Sequence, residues 1–186
     1  MIVTTRSHAL SDSSRSPRPG QSFVGLLLVL LVLTLLTAYA ANNVDLTRYR
    51  SDAMARRATR VFVDAGRAAR QQRHAVVVMV DSAGKRLGTL YDLNGNGRQD
   101  PGEPMGWTAL DAATDILDPP QRLPGSEPGT SSVQFRPVGG AATDFVLYLT
   151  SDAGTSGAWR AVQVTRRSGQ VQLWRYDGAR WARGRA

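Results

Sequence analysis

The sequence has no cysteine, only two histidines and a single lysine, Lys85. Without cysteine the chain forms no disulfide, offers no thiol nucleophile and ligates no metal through sulfur. The two histidines are His8, near the start of the chain, and His74. His74 lies just before an apolar strand, a place typical of a residue at the end of a helix. The chain also has no Walker loop, no zinc-ligand spacing and no nucleophile elbow. These absences predict a protein that is not an enzyme.

The charge is basic, with 23 Lys+Arg against 15 Asp+Glu, and almost all of the positive charge is arginine. Arginine binds carboxylates and phosphates through a planar fork that lysine cannot reproduce. A codon bias towards arginine is the simpler explanation of the excess, so charge alone identifies no partner.

A long apolar run covers residues 23–41, interrupted only by Thr34, Thr37 and Tyr39. A membrane helix needs about 20 such residues, whereas the apolar part of a secretory signal has roughly 7 to 15. The length therefore predicts a retained transmembrane helix. The small-x-small pattern at residues 38–40 keeps a second interpretation open, in which a secretory signal is cleaved after Ala40.

The residues before this run are polar, and their arginines outnumber the single Asp12. Positive charge before a membrane span keeps the N-terminus in the cytoplasm and sends the rest of the chain across. The arginines concerned are Arg6, Arg15 and Arg18.

No turn signal separates the apolar run from residues 42–73, which contain no proline and only one glycine, Gly66. Apolar residues recur there at steps of three and four, which is the pattern of an amphipathic helix. We predict one helix of about 50 residues, ~75 Å long at ~1.5 Å per residue. The apolar positions are Met54, Ala58, Val61, Phe62, Ala65 and Ala69.

After Arg73 the pattern changes to short β-branched segments separated by turns. Prolines between residues 119 and 128 mark an irregular segment between two groups of strands. A helix followed by antiparallel strands predicts an α+β fold. The predicted strands are residues 74–81, 86–92, 132–139, 144–150, 159–165 and 169–178.

A basic leader ending in Gly20, a long helix and a β-rich domain resemble, in this order, a type IV pilin or pseudopilin. "VQFRPVGGA" (133–141) and "RAVQVTRRSGQVQLWRYDG" (160–178) resemble the strand and closing hairpin of the GspH/FimT type. The resemblance implies a pilin-like α+β fold in which a long N-terminal helix, membrane-spanning in its first half, packs on an antiparallel β-sheet domain.

The resemblance also implies how the chain is divided and processed. Residues 1–20 are a prepilin leader, which a prepilin peptidase cuts after Gly20 before methylating the new N-terminus at Gln21. Residues 21–41 are the transmembrane half of the helix and residues 42–73 its amphipathic periplasmic half. A periplasmic β-rich domain over 74–178 and a basic tail over 179–186 complete the chain.

The function implied is that of a minor pseudopilin, a structural subunit of the periplasm-spanning pseudopilus of type II secretion. It lies in the inner membrane with its N-terminus cytoplasmic and meets lipid and other pilins or pseudopilins through its N-terminal helix. Two positions depart from the family, which usually has phenylalanine at the first mature position and glutamate at the fifth. Here these are Gln21 and Gly25. The assembly residues are Phe23, Val24, Gly25 and Leu26.

The segment "DLNGNGRQDPGE", residues 92–103, matches the spacing of a calcium-binding loop. Gly97 permits the sharp turn, and Arg98 offers its backbone carbonyl. A plain polar loop is the simpler interpretation, because Asn-Gly pairs are turn signals and Pro101 and Pro104 oppose an exiting helix. The candidate ligands are Asp92, Asn94, Asn96, Arg98, Asp100 and Glu103.

The chain closes with arginines interleaved with aromatic residues, "LWRYDGARWARGRA". Arginines neutralise phosphates and aromatic rings stack on bases, so this pattern is typical of nucleic-acid binding. The simpler interpretation is a final strand whose Trp174 and Tyr176 pack inward, followed by a solvated tail. FimT-like minor type IV pilins, some of which take up DNA, give a second hypothesis for the function. A secreted or periplasmic β-rich binding protein with a cleaved signal is the third. The candidate DNA-binding residues are Arg175, Arg180, Trp181, Arg183 and Arg185.

Overall fold

A computed structural model describes residues 19–43, 46–126 and 131–184 of the chain. Two compact units result, Met1–Val44 and Asp45–Ala186. The first contains helix α1, Pro19–Asn43, and the second begins with helix α2, Leu46–Gln72. Residues 44 and 45 lie outside the described residues, so whether α1 and α2 form the single helix of about 50 residues predicted from the sequence stays a prediction. The leader up to residue 18 also lies outside them.

Helix α1 leaves its apolar side chains exposed along its whole described length, from Phe23 (63 % exposed) to Tyr39. Its two threonines form hydrogen bonds within the helix, since the Thr34 hydroxyl donates to the Leu31 carbonyl and the Thr37 hydroxyl to the Leu33 carbonyl. Among the described residues, no helix combines the length and the apolarity that crossing a membrane requires.

Helix α2 is amphipathic, as predicted, and one of its faces is fully buried. The helix ends at Gln72, where Arg73 takes a left-handed conformation (φ 59°), the usual way in which a helix terminates. The buried face consists of Ala55, Ala58, Phe62, Ala65 and Ala69.

The β residues form two four-stranded antiparallel sheets. The first sheet has the order β3-β2-β1-β4, with bounds Ala75–Asp81 for β1, Arg86–Asp92 for β2, Met105–Ala109 for β3 and Ser132–Phe135 for β4. The second has the order β5-β6-β7-β8, with bounds Phe145–Leu149, Arg160–Val164, Val171–Tyr176 and Trp181–Arg183. A single 3-10 turn, Ser156–Ala158, precedes β6.

Six strands lie where the sequence predicts them, and two were not predicted. Strand β3 contains a glycine and follows Pro104, and its partner β2 determines its position. Strand β8 lies within residues 179–186, which the sequence analysis treated as a tail, and it pairs with β7. Strand β4 is shorter than predicted because a turn follows it, in which the Gly139 amide (φ 96°) donates to the Arg136 carbonyl.

The main core lies between α2 and the inner faces of both sheets, to which α2 makes contact. The rings of Phe62 on α2 and Phe145 on β5 lie 5.5 Å apart at its centre. A second apolar cluster covers the outer face of the second sheet. It consists of Leu123, Val146, Tyr148, Trp159, Ala161 and Tyr176, with Trp174 and Trp181 packed against it.

Candidate functional sites

The start of α1 is the first candidate site, since the sequence predicts cleavage and assembly there. Gly20 and Gln21 lie within the helical range of α1, but their side chains are outside the described residues. Phe23, Val24 and Leu26 are 57–63 % exposed. A side-chain carbon at Gly25 would meet no other atom within 4 Å, so the position has room for a larger side chain.

An ion cluster around the buried Arg160, which was not predicted from the sequence, joins α2 to the second sheet. Arg160 on β6 is 3 % exposed, and its Nε donates to the Asp52 carboxylate at 2.6 Å. Its Nη1 donates to the carbonyls of Gly157 and Trp159. The second oxygen of Asp52 pairs with Arg175 at 2.9 Å. The cluster therefore pairs one of the two acidic residues of α2 with arginines of the second sheet.

A pattern in the sequence indicates the buried position of Arg160. Along β6, side chains point alternately to the two faces, so Arg160, Val162 and Val164 share one face. An arginine in register with two buried valines needs a buried acidic partner. Which acid serves, Asp52, is decided by the docking of α2 and not by any sequence spacing.

The loop between β2 and β3, residues 92–103, closes on itself through its own side chains. Asp92 is 1 % exposed, and its carboxylate accepts hydrogen bonds from the backbone amides of Gly95, Asn96 and Gly97 and from the Gln134 side chain. Gly95 and Gly97 have φ values of 77° and 73°, which glycine adopts without strain.

Two further carboxylates fasten the far side of this loop. Asp100 accepts from the side-chain amides of Asn94 and Asn96, and these bonds hold the pKa of the Asp100 carboxyl below its ordinary value. Glu103 accepts from the backbone amides of Leu93 and Asp100 and so joins the two ends of the loop.

The hydrogen bonds within the loop are those expected of a plain polar loop, and they do not test the calcium prediction. Its three carboxylates are occupied by amide donors, and the Asn94 and Asn96 carbonyls accept from the amides of Asn96 and Arg98. In the described part of the chain, no group of three or more histidine, aspartate or glutamate side chains is arranged to hold a metal ion. Calcium binding stays a prediction.

The candidate DNA-binding residues of the tail lie on and around β7 and β8, but on opposite faces. Arg175 points towards α2 and pairs with Asp52, whereas Trp181 lies on the outer face. Arg180 is exposed and forms a 3.5 Å pair with Asp177. Arg183 is exposed on β8, and Arg185 lies outside the described residues.

A groove of about 290 Å³ lies on this outer face, between Trp174 and Trp181. The Trp181 ring packs against Tyr148 and Tyr176, and its Nε1 donates to the Gln121 carbonyl. The other residues lining the groove are Gln121, Leu123, Pro124, Gln163 and Arg180. The two rings offer apolar surface beside the exposed guanidinium of Arg180.

The chain is similar in structure to a minor pilin and to a minor pseudopilin. The minor pilin FimU of Pseudomonas aeruginosa, from type IV pili, matches with a TM-score of 0.50 at 14 % identity, over 73 % of this chain and 94 % of that one. The minor pseudopilin EpsH of the type 2 secretion system of Vibrio cholerae matches with a TM-score of 0.48 at 16 % identity, over 67 % and 95 %. The chain has a pilin-like fold, in which a helix packs on an antiparallel β domain.

No protein-family model matches the sequence, and no curated protein matches it. The likeness is therefore one of fold, and the helix, the loop and the tail have to be interpreted from their own residues.

Proposed function

We propose that this protein is a minor pseudopilin, a structural subunit of the short periplasmic filament that helps a type II secretion machine export folded proteins. The observation that carries the proposal is α1, whose apolar side chains are exposed on all sides while the rest of the chain has a pilin-like fold. A helix that is hydrophobic all round needs an apolar environment, which lipid and the helices of other subunits both supply.

In this proposal the chain is made as a precursor, cut after Gly20 and methylated at Gln21. Residues 21–41 hold it in the inner membrane, with the β domain in the periplasm. The apolar sequence of residues 23–41 and the exposed side chains of α1 support this anchor.

N-terminal sequencing of the mature protein tests the proposal. We expect methylated Gln21 as the first residue, and Gly20→Leu should leave the precursor uncut. The matched control is Ala40→Leu, which removes the small-x-small site and should leave processing unchanged. Ala41 as the first residue would replace the proposal with the secreted binding protein.

Gly25 stands where the family usually has glutamate, so the charge pair that this glutamate is thought to make with a neighbour's N-terminal amine is missing. We propose that the subunit therefore enters the filament early or at its tip. Glutamate fits at this position, since no atom lies within 4 Å of its first side-chain carbon. Gly25→Glu should change the amount of protein in isolated filaments, with Gly25→Ala as the control. Unchanged incorporation of the glutamate variant would remove the support for this step.

A second candidate function is a minor type IV pilin that binds DNA through its tail. The observation in its favour is the groove between Trp174 and Trp181, which puts stacking surface next to Arg180. Binding should weaken as salt rises and should fall when Arg180 and Arg183 become glutamine. Arg166→Gln with Arg167→Gln is the control, because both arginines are exposed on another turn. Absent or salt-insensitive binding would discard this candidate.

A further inference from the structure

Helix α2 carries a row of arginines on the face opposite its buried residues. Arg56, Arg60, Arg67 and Arg70 follow one another at steps of four, seven and three residues. At 3.6 residues per turn these positions fall within a sector of about 80° and extend over roughly 21 Å. We call these four residues the arginine stripe. Val63, 39 % exposed, lies within it.

The chain itself supplies almost no negative charge to this stripe. Only Asp52 and Asp64 are acidic in α2, and Asp52 is taken up by Arg160 and Arg175. Asp64 pairs with Arg67 at 3.7 Å, with both side chains more than 60 % exposed. Among the described residues, no ion pair involves Arg56, Arg60 or Arg70.

We infer that the arginine stripe docks the acidic face of a helix in a different subunit of the filament, an inference that rests on the proposed function. Arginine forks bind carboxylates through two parallel hydrogen bonds. The spacing along one helix face matches acidic residues that repeat at similar steps on a second helix packed alongside. Val63 adds an apolar contact between the charged positions.

The charge of the stripe argues against a second copy of this chain as the occupant. Two identical stripes facing each other would bring like charges together, and such contacts are strongly disfavoured in interfaces. Nucleic acid is a poorer fit than an acidic helix, because α2 itself presents no exposed aromatic side chain between Arg56 and Arg70 to stack on bases. The exposed ring beside the helix, Trp107, is already covered on one face by the Arg86 guanidinium at 4.1 Å. The stripe thus selects a heterologous acidic partner.

A binding assay with designed helical peptides tests the inference on the full chain in neutral detergent micelles. The first peptide carries glutamates at the stripe's own spacing on one face, and the second carries the same glutamates scattered around the helix. We expect the first to bind and the second to bind at least several-fold more weakly. A synthetic copy of residues 46–72, representing a second subunit, should not bind.

The stripe variant, with Arg56, Arg60, Arg67 and Arg70 all changed to glutamine, should lose affinity by about tenfold, since each exposed ion pair contributes roughly a factor of two. The matched control changes four exposed arginines elsewhere to glutamine and should bind like the wild type; these are Arg98, Arg136, Arg166 and Arg167. Tryptophan fluorescence confirms that both variants are folded. Changing the four stripe residues to glutamate should switch binding to a peptide with lysines at the same spacing.

Equal loss in the stripe and control variants, or equal binding of the two glutamate peptides, would overturn the inference. So would tighter, stripe-dependent binding of duplex DNA or of phosphatidylglycerol vesicles, which would identify a nucleic acid or a lipid surface instead. Because the assay uses no filament, it can fail while the precursor is still cut after Gly20. Failure of the inference is thus distinguishable from failure of the proposed function.

Discussion

The two helices of this protein are nearly equal in length, 25 residues for α1 and 27 for α2, but their surroundings differ completely. In α2 the alanines and Phe62 are buried against two sheets, and the arginines point outwards. In α1 the leucines and valines are exposed on every side. The apolar residues of α2 therefore stabilise the domain, whereas those of α1 are not buried in a core.

The largest effect that tests this contrast is expected from Phe62→Ala. Phe62 is fully buried and packs against Phe145, so its removal should cost about 3–5 kcal/mol of the free energy of unfolding. Leu31→Ala in α1, where the side chain is 60 % exposed, should change it by less than about 0.5 kcal/mol. All four tryptophans lie in the Asp45–Ala186 unit, so their fluorescence during denaturation reports on that unit alone. Equal effects of both variants would contradict the contrast.

The next effect concerns the two acidic residues of α2. Asp52→Ala leaves Arg160 buried without its carboxylate, which should cost about 3 kcal/mol. Asp64→Ala removes only an exposed pair with Arg67 and should cost less than about 0.5 kcal/mol. Urea unfolding followed by fluorescence measures both. A small effect of Asp52→Ala would show that the buried cluster does not hold α2 on the second sheet.

A smaller effect, again confined to the domain, would follow from the calcium prediction. If the loop at residues 92–103 binds calcium with an affinity typical of extracellular modules, a tenfold excess over Kd stabilises the domain by about 1.4 kcal/mol. Melting with calcium and with chelator tests this, using Glu103→Gln as the loop variant and Asp118→Asn as the control outside the loop. An unchanged melting temperature would leave only the polar-loop interpretation. The helicity of α1 should not respond.

The smallest effect is a pH dependence that only the domain should show. Hydrogen bonds from Gly84 and then Arg86 lower the pKa of Asp81 from its ordinary 3.8, and those from the backbone of Arg180 and Ala179 lower the pKa of Asp177. At a pH near this ordinary pKa, the unfolded chain binds more protons than the folded chain. The stability that the two carboxylates contribute is therefore present above the ordinary pKa and is lost as the pH falls through their lowered values. Melting between pH 6 and pH 2.5 should show the loss, since about two pH units span such a transition.

Helix α1 serves as the control in the same pH experiment. It contains no acidic or basic residue, so the far-UV helical signal should fall only by the share of α2 and keep the share of α1, while tryptophan fluorescence reports on the domain. A complete loss of the helical signal at the pH where the domain unfolds would contradict the expectation that α1 does not titrate.

The sequence by itself determined which parts of the chain become helix and strand where the pattern is local. The three- and four-residue steps of α2, the β-branched run of β1 and the glycine turns are visible in the amino-acid order because helix and strand periodicity and turn conformation depend on neighbouring residues. The amphipathic face of α2 was predictable for the same reason, and Ala58, Phe62, Ala65 and Ala69 are buried as expected.

Only the tertiary structure decided which strands pair and which charges meet. Strands β3 and β8 are short segments whose sequences alone do not indicate a strand. They become strands because they pair with the edges of β2 and β7. The partners of Asp52 lie 108 and 123 positions away in the sequence, at Arg160 and Arg175. Burying Arg160 without a carboxylate would be costly, so the fold has to provide a partner for it. Which carboxylate becomes that partner depends on how the helix docks on the sheets, because the local sequence does not specify it.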